Sequence, residues 1–296
     1  MKVEVVIIDP QEDFCTPNGT RAGVKTGALL VPGAFEDMAV RAPRFIRKNI
    51  RKINRIRVSL DKHHRLDIAH KHFWRNSKGE KPLALSEAIA KGLPPTIITS
   101  EDQRKGIWTP WIPSLMHNIP GRKTLGTLKY TEALEAQGKF PLIIWDDHCI
   151  IETPGAAIVP ELQEALDEWC IERGATIDPL IKGSNIWTEH YGAFGAEVPD
   201  PEDPSSCINV DLLRSIESDA DLIVWMGEAA THCVMTSMMQ AFANFGADGI
   251  KKSVLVTDCM SCIPHPMNIF KDAFDKFLDE YKAKGLQTAT SDTLTL

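Results

Sequence analysis

The sequence lacks the features that mark several classes of protein. Its apolar runs all fall well short of the roughly 20 residues that cross a bilayer, so we expect no membrane association. Internal repeats and low-complexity segments are also missing. A predicted strand begins at Val3 with no charged-then-apolar leader before it, and this predicts a cytoplasmic protein.

Positive charge is in short supply as well. Lys and Arg number 33 against 40 Asp and Glu, which gives a formal net charge of −7. A nucleic-acid-binding protein normally carries a basic surface. The clearest basic cluster, within 44–57, is interpreted mainly as the solvated face of a helix. We therefore expect no nucleic-acid partner.

The seven cysteines do not form the framework of a disulfide-rich secreted domain. Their odd number and scattered positions favour a reducing compartment. Cys259 and Cys262 have the spacing of a redox pair, but the Trp, Gly or Pro of thioredoxin-like motifs does not lie between them. We interpret this pair as structural.

What the 296-residue chain does contain is an alternation of apolar strands and amphipathic helices. Strands are predicted at 3–8, 55–60, 141–145, 175–181, 221–225 and 253–258, and helices at 32–53, 159–173, 208–218, 237–244 and 267–284. This alternation predicts an α/β fold with three α/β/α layers around a central parallel sheet. We expect one domain, 1–296, with a long insertion at about 75–140 that serves as a lid, a pocket wall or a subunit interface, or is only a surface elaboration.

Reactive side chains follow three of the predicted strands. Asp9 ends the first strand, Lys182 ends the strand at 175–181, and Cys233 lies where a strand gives way to a helix. In open α/β sheets this edge carries the ligand site. Each residue alone has a plainer interpretation: a turn cap, a surface lysine and a buried thiol. Together they predict a cysteine nucleophile, and the helix N-terminus is expected to lower the pKa of its thiol.

Metal ligands are predicted at two other strand ends. Asp61 and His63 lie on the same side of an extended segment, because side chains alternate with period two. His148 could complete a three-ligand site that suits zinc, with iron or manganese as alternatives. The ligand choice stays open, because other histidines lie nearby: His64, His70 and His72.

Five stretches resemble, in order, the motifs of the isochorismatase-like cysteine hydrolases, and within them the metal-containing nicotinamidase branch. They are 8–14 (D-x-Q-x-D-F), 61–63 (D-x-H), 145–149 (similar to W-P-x-H-C), 181–183 (the catalytic-lysine stretch) and 227–234 (G-x-x-x-x-H-C-V). Two departures stand out: Asp146 replaces the usual proline, and the interval from His63 to His148 is much longer than in compact nicotinamidases.

The resemblance implies a role for each matched residue. Asp9 is the base, Lys182 the supporting cation and Cys233 the nucleophile. The backbone N–H groups of Ala229 and Cys233 form the oxyanion hole after a cis Glu228–Ala229 bond. The remaining matched residues hold the divalent metal or form the walls of the substrate pocket. The metal ligands are Asp61, His63 and His148, and the pocket walls are Phe14, Trp145, Tyr191 and His232.

The implied activity is hydrolysis of a small amide, with nicotinamide converted to nicotinic acid and ammonia, by a homo-oligomeric enzyme. Three alternatives stay open. The first is another amide or carbamoyl compound. The second is a vinyl ether, cleaved without metal as by isochorismatases. The third is a scaffold that has kept the fold without its chemistry, although a scaffold has no need of Asp9, Lys182 and Cys233 together.

Overall fold

A six-stranded parallel sheet forms the centre of the computed structural model, which describes residues 1–17, 25–138, 140–263 and 269–296. The strands of the sheet are β1 (Val3–Ile8), β2 (Ile53–Asp61), β7 (Asp178–Lys182), β8 (Leu222–Gly227), β9 (Ser253–Val256) and β10 (Gln287–Ala289). They lie in the order β10-β9-β8-β1-β2-β7, so the first strand lies near the middle of the sheet. Every residue of β1 is buried, as expected for a strand covered on both faces.

Two short antiparallel pairs lie outside this sheet. The first pair is β3 (Trp74–Arg75) with β5 (Thr109–Pro110), and the second is β4 (Ile97–Ile98) with β6 (Leu142–Ile143). The α-helices of the described chain are α1 (Glu12–Cys15), α2 (Ala42–Lys48), α3 (Leu85–Ala90), α4 (Ser100–Arg104), α5 (Thr127–Ala136), α6 (Pro160–Arg173), α7 (Val210–Asp219), α8 (Met235–Asn244), α9 (Ala247–Lys251) and α10 (Ile269–Ala283). Single π turns precede α2 and α8, at Glu36–Arg41 and Ala230–Val234.

Helices cover both faces of the sheet. Alternate side chains of β1 point to opposite faces and therefore pack in two different cores. Val5 and Ile7 pack in the core that holds α2 and α6. Val6 and Ile8 pack in the core that holds α7, α8 and α10. The predicted α/β/α layering is therefore confirmed.

Two predicted elements differ from the structure. The apolar run 141–145 does not join the central sheet; its residues Leu142–Ile143 pair antiparallel with Ile97–Ile98. The sixth strand of the sheet is instead β10, which pairs with β9 and was not predicted. Its mostly exposed, polar residues give no hydrophobic run, because an edge strand buries little.

The predicted helix 32–53 ends earlier, at Lys48, and β2 begins at Ile53. Its basic face is paired with acidic groups: Arg47 donates to Glu168 at 2.8 Å and Arg51 to Glu172 at 2.7 Å, both on α6. Among the described residues, none of the helices is both long and apolar enough to cross a membrane.

The 75–140 region packs on the sheet through its own apolar residues. Leu85, Ile98, Tyr130 and Leu134 belong to the same hydrophobic core as one face of the central sheet. A shared core is what a single domain requires, because independent domains have separate cores.

Candidate active site

Three strand ends bring Asp9, Lys182 and Cys233 together. β1 lies between β2 and β8, and β7 lies beyond β2, so residues far apart in sequence meet at one edge of the sheet. Lys182 Nζ lies 3.0 Å from Asp9 Oδ2 and 3.8 Å from Cys233 Sγ. The Asp9 carboxylate is also near enough to Cys233 to raise the pKa of its thiol. Lys182 therefore contacts both Asp9 and Cys233, the residues predicted as base and nucleophile.

Lys182 also reaches the predicted metal site. Its ammonium lies 3.2 Å from Asp61 Oδ1 and donates to the carbonyl oxygen of His190 at 2.9 Å. Asp61 therefore contacts both Lys182 and the histidines. Its second oxygen, Oδ2, lies 3.0 Å from His63 Nε2 and 3.4 Å from His148 Nε2. One ion-pair network therefore links both parts of the site.

Burial controls the protonation of these groups. Burial would lower the pKa of Lys182, but the carboxylates of Asp61 and Asp9 outweigh it and hold that pKa well above its usual value. Burial raises the pKa of Asp9, against the opposing effect of Lys182. Burial also raises the pKa of the Cys233 thiol well above its usual range, although Lys182 opposes it. The predicted lowering of this pKa is therefore wrong, and the thiol needs a base.

The backbone around Asp9 is arranged for this contact. Asp9 has φ of 44°, a left-handed conformation that is costly outside glycine. Its N–H donates to both the carbonyl and the hydroxyl oxygen of Ser59, and Ser59 Oγ donates to Asp9 Oδ1 at 2.6 Å. Gly183, with φ of 80°, follows Lys182 where any Cβ would collide with Asp61. Only glycine fits there.

The turn that carries Cys233 has the predicted cis peptide at Glu228–Ala229. A π turn at Ala230–Val234 follows and places Cys233 at the cavity. Gly227, at the end of β8, has φ of 125° and no room for a side chain against Ile8.

Two buried carboxyl groups connect the cis-peptide turn to the π turn Glu36–Arg41, which precedes α2. The Glu228 carboxyl lies near that of Asp37, and the N–H of Ser261 donates to Glu228 Oε2 at 3.1 Å. Ser261 Oγ and Arg41 donate to Asp37 at 2.6 and 2.8 Å. Burial and the neighbouring Asp37 raise the pKa of Glu228 well above its usual value, which favours its protonated form.

Three buried histidines, His63, His70 and His148, form a cluster, and His148 lines the same cavity as Cys233. Their potential ligand atoms lie within 4.8 Å of one another, a spacing that one metal ion could bridge. The predicted ligands His63 and His148 are in this cluster, with the predicted Asp61 in contact. Of the nearby histidines that the sequence left open, His70 is the one in this cluster.

All three imidazoles are oriented in the same way. His63 Nδ1 lies 3.1 Å from Asp67 Oδ2, His70 Nδ1 lies 3.2 Å from the His64 carbonyl oxygen, and His148 Nδ1 lies 2.7 Å from the Asp146 carbonyl oxygen. An acceptor on Nδ1 fixes the tautomer and leaves Nε2 free to bind a metal.

His70 makes the strongest case that the cluster suits a metal. Its Nε2 is buried and has no hydrogen-bond partner among the described residues. Burial lowers the pKa of His70 to about 3, so the imidazole is neutral, as a metal ligand must be.

The cavity at this site is lined by the four predicted pocket walls: Phe14, Trp145, Tyr191 and His232. Trp145 Nε1 donates to Tyr191 Oη at 3.2 Å, and the rings of Trp145 and His232 meet edge to face with centroids 5.4 Å apart. Cys233, Ala229, Asp61 and His148 line the same cavity. The structure therefore brings all the predicted site residues to one place.

Sequence reasoning missed two carboxyl groups and a histidine here. Asp67 orients His63, while Glu189 and His190 line the cavity. The signal for Asp67 was present, since it follows His63 by four residues in a histidine-rich stretch. Glu189 and His190 precede Tyr191 directly, so the match at Tyr191 could have pointed to them.

Comparison with solved structures identifies proteins of similar fold. Yeast nicotinamidase Pnc1p bound to the inhibitor nicotinaldehyde has a TM-score of 0.58 at 17% identity, covering 97% of this chain and 99% of that chain. An Acinetobacter baumanii nicotinamidase/pyrazinamidase has a TM-score of 0.56 at 16% identity, covering 99% and 98%. The Pyrococcus horikoshii pyrazinamidase in complex with zinc has a TM-score of 0.50 at 17% identity, covering 98% and 99%.

No protein-family profile and no curated protein matches the sequence. At the identities above, the structural matches establish the fold. The chain has the three-layer α/β/α fold of the isochorismatase-like hydrolases, as the sequence motifs predicted.

Proposed function

We propose that the protein is an enzyme that hydrolyses a small amide, with nicotinamide as the first substrate to test. The observation that carries the proposal is the contact of Asp9, Lys182 and Cys233 at one buried sheet edge, beside a histidine cluster. The fold is that of the nicotinamidases and pyrazinamidases named above, which supports the same reaction class. Another small amide or a carbamoyl compound is the alternative substrate.

The reaction begins when Asp9 takes the thiol proton of Cys233. The thiolate attacks the amide carbonyl, and the oxyanion is stabilised by the N–H groups of Ala229 and Cys233. Asp9 returns its proton to the departing ammonia, which leaves a thioester on Cys233. Water then attacks the thioester with Asp9 as base, and the acid is released. Lys182 favours the charged form of Asp9, against the effect of burial, and stabilises the thiolate as it forms.

A divalent metal fits the histidine cluster. His63, His70 and His148 would hold it through Nε2, with Asp61 as the carboxylate ligand. Imidazole and carboxylate donors suit zinc, with iron and manganese as alternatives. When bound, the metal orients a heteroatom of the substrate, such as a pyridine nitrogen. This cluster disfavours a metal-independent vinyl ether hydrolase, which would leave the buried Nε2 of His70 without a partner.

We further propose that the enzyme is cytoplasmic, homo-oligomeric and a single domain, with region 75–140 as an insertion. The shared core of this region supports the single domain. All seven cysteines are free, which fits a reducing compartment.

The first test is ammonia release from nicotinamide and a panel of other small amides, with and without chelator. Wild-type protein should release ammonia from at least one amide. Cys233→Ala should lower kcat by at least about 10⁴-fold because it removes the nucleophile. Cys170→Ala, a change to a half-buried free cysteine on α6, is the control and should leave kcat unchanged. Near-normal turnover by Cys233→Ala would sink the proposed mechanism.

A further inference from the structure

The cavity wall contains polar atoms that the catalytic scheme does not use. Glu189 Oε2, His190 Nδ1 and His232 Nε2 are buried and have no hydrogen-bond partner among the described residues. A buried polar atom without a partner costs about 1–3 kcal/mol. Three such atoms around one cavity indicate that the natural ligand supplies partners.

Hydrogen bonds fix the backbone of Glu189 and one oxygen of its carboxyl group. Its N–H donates to Tyr130 Oη at 3.0 Å, and its carbonyl oxygen accepts the N–H of Glu197 at 2.9 Å. Its carboxyl oxygen Oε1 accepts the N–H of His190 at 3.0 Å. One carboxyl oxygen is therefore committed to the protein, and Oε2 is left for a ligand.

The Glu189 carboxyl does not belong to the histidine cluster found among the described residues, and it makes no ion pair with Lys182 there. Burial raises the pKa of Glu189, and the charge of His63 opposes this effect. In either protonation state Oε2 can hydrogen-bond a ligand.

Aromatic side chains of the cavity favour a flat ligand. Phe14, Trp145 and Tyr191 line the cavity, as do Cys233 and Glu189. A planar amide bound with its carbonyl at Cys233 therefore has Glu189 among its other neighbours. Nicotinamide has no hydrogen-bonding group on its ring besides the ring nitrogen.

We propose that Glu189 determines substrate specificity by hydrogen-bonding a second polar group of the substrate through Oε2. The site then takes a small planar amide that carries a hydroxyl, amino or second carboxamide group in addition to the scissile amide. This assignment rests on the proposed amide hydrolysis and narrows it. The aromatic wall supplies shape, and Glu189 selects among amides of that shape.

The test compares substrates of equal size and different polarity. Nicotinamides that carry a hydroxyl or amino group at each free ring position are paired with their methyl counterparts, and kcat/KM is measured for each. At one position at least, the polar substrate should be favoured by about tenfold to a hundredfold. Methyl substrates that equal or exceed their polar partners at every position would overturn the assignment.

Variants then assign the preference to Glu189. Glu189→Leu, which is close in size, should abolish the preference and favour the methyl substrate. Glu189→Gln should keep much of the preference, because its amide still hydrogen-bonds. A preference that survives in Glu189→Leu would place the selecting group elsewhere and overturn the assignment. Thermal unfolding of each variant checks that the fold is intact.

Binding measurements separate this assignment from the proposed function. Calorimetry of the same substrate pairs with Cys233→Ala protein, with and without Glu189→Leu, does not depend on turnover. Tighter binding of the polar partner, lost with Glu189→Leu, supports the assignment even if wild-type protein releases no ammonia. Equal binding of both partners overturns it even if amide hydrolysis is confirmed.

Discussion

The two halves of the candidate site are built on different principles. The nucleophile half (Asp9, Lys182, Cys233) consists of charged and ionisable groups that satisfy one another directly, with Lys182 3.0 Å from Asp9. The histidine half (His63, His70, His148) consists of imidazoles that each hydrogen-bond outward through Nδ1 and turn Nε2 inward. In the histidine half, His63 and His148 turn Nε2 towards Asp61, whereas His70 Nε2 is buried without a hydrogen-bond partner among the described residues.

Lys182 and Asp61 join the halves. Lys182 contacts the carboxylate of Asp9 in the nucleophile half and that of Asp61 beside the histidine half. The other carboxylate oxygen of Asp61 faces His63 and His148. A change in one half should therefore reach the other through this pair. The comparison predicts that Lys182 affects both halves, whereas residues away from the pair affect only one.

The largest effect is expected for Lys182→Met. The change leaves the buried carboxylates of Asp9 and Asp61 without their cation, which should lower the free energy of unfolding by about 3–5 kcal/mol. It should also lower kcat/KM by about 10²–10³-fold. Urea unfolding and ammonia release measure the two effects, and zinc affinity by competition with a chelator should change as well.

Lys62→Met is the control for Lys182→Met. The half-buried ammonium of Lys62 donates to the Ala156 carbonyl oxygen, so a loss of only about 1 kcal/mol in the free energy of unfolding is expected. Unchanged zinc affinity in Lys182→Met would refute the link between the halves.

A smaller effect, confined to the histidine half, is expected for Asp67→Asn. The Asp67 carboxylate orients His63 from the side away from the cluster, and loss of such a partner typically weakens metal binding by about 10–100-fold. Zinc affinity by competition with a chelator measures the change. Alkylation of Cys233 by iodoacetamide should proceed at the wild-type rate. If Asp67→Asn left zinc affinity unchanged, His63 would not depend on Asp67 for its orientation.

The smallest effect concerns the support of the nucleophile half. Since the pKa of Glu228 is raised in the folded protein, its contribution to stability is complete at acid pH. That contribution is lost as pH rises from the ordinary glutamate value towards the raised pKa. Glu228→Gln removes the titration, so the wild-type minus variant difference in unfolding free energy should fall as pH increases. Urea unfolding across pH 5–9 measures it, and a difference independent of pH would contradict the assignment.

Sequence reasoning found the parts of this site that lie at strand ends. Asp9, Lys182 and Cys233 each follow a predicted strand, so the strand pattern and the position along the chain indicate the same residues. His70 lies in an irregular stretch after β2, and no periodicity shows that the chain turns back there towards His148. The thiol pKa was also missed, because it depends on burial by residues distant in sequence.

For the fold as well, the sequence predicted some elements and not others. Five strands of the central sheet were predicted from their content of apolar and β-branched residues, which is highest in the fully buried strands β1 and β9. The run at 141–145 is equally apolar, yet it pairs with Ile97–Ile98. Apolar character shows that a strand is buried, whereas the choice of partner is decided by chain connections that the pattern does not contain. The edge strand β10 was missed because its residues are mostly exposed and polar and form no apolar run.

The position of β1 has a consequence for the order in which the protein matures during synthesis. β1 pairs on one side with β2 and on the other with β8, and β8 leads directly to Cys233. All the histidines of the cluster leave the ribosome before β8 does. Cys233 can therefore join Asp9 and Lys182 only after β8 has been made and has paired with β1.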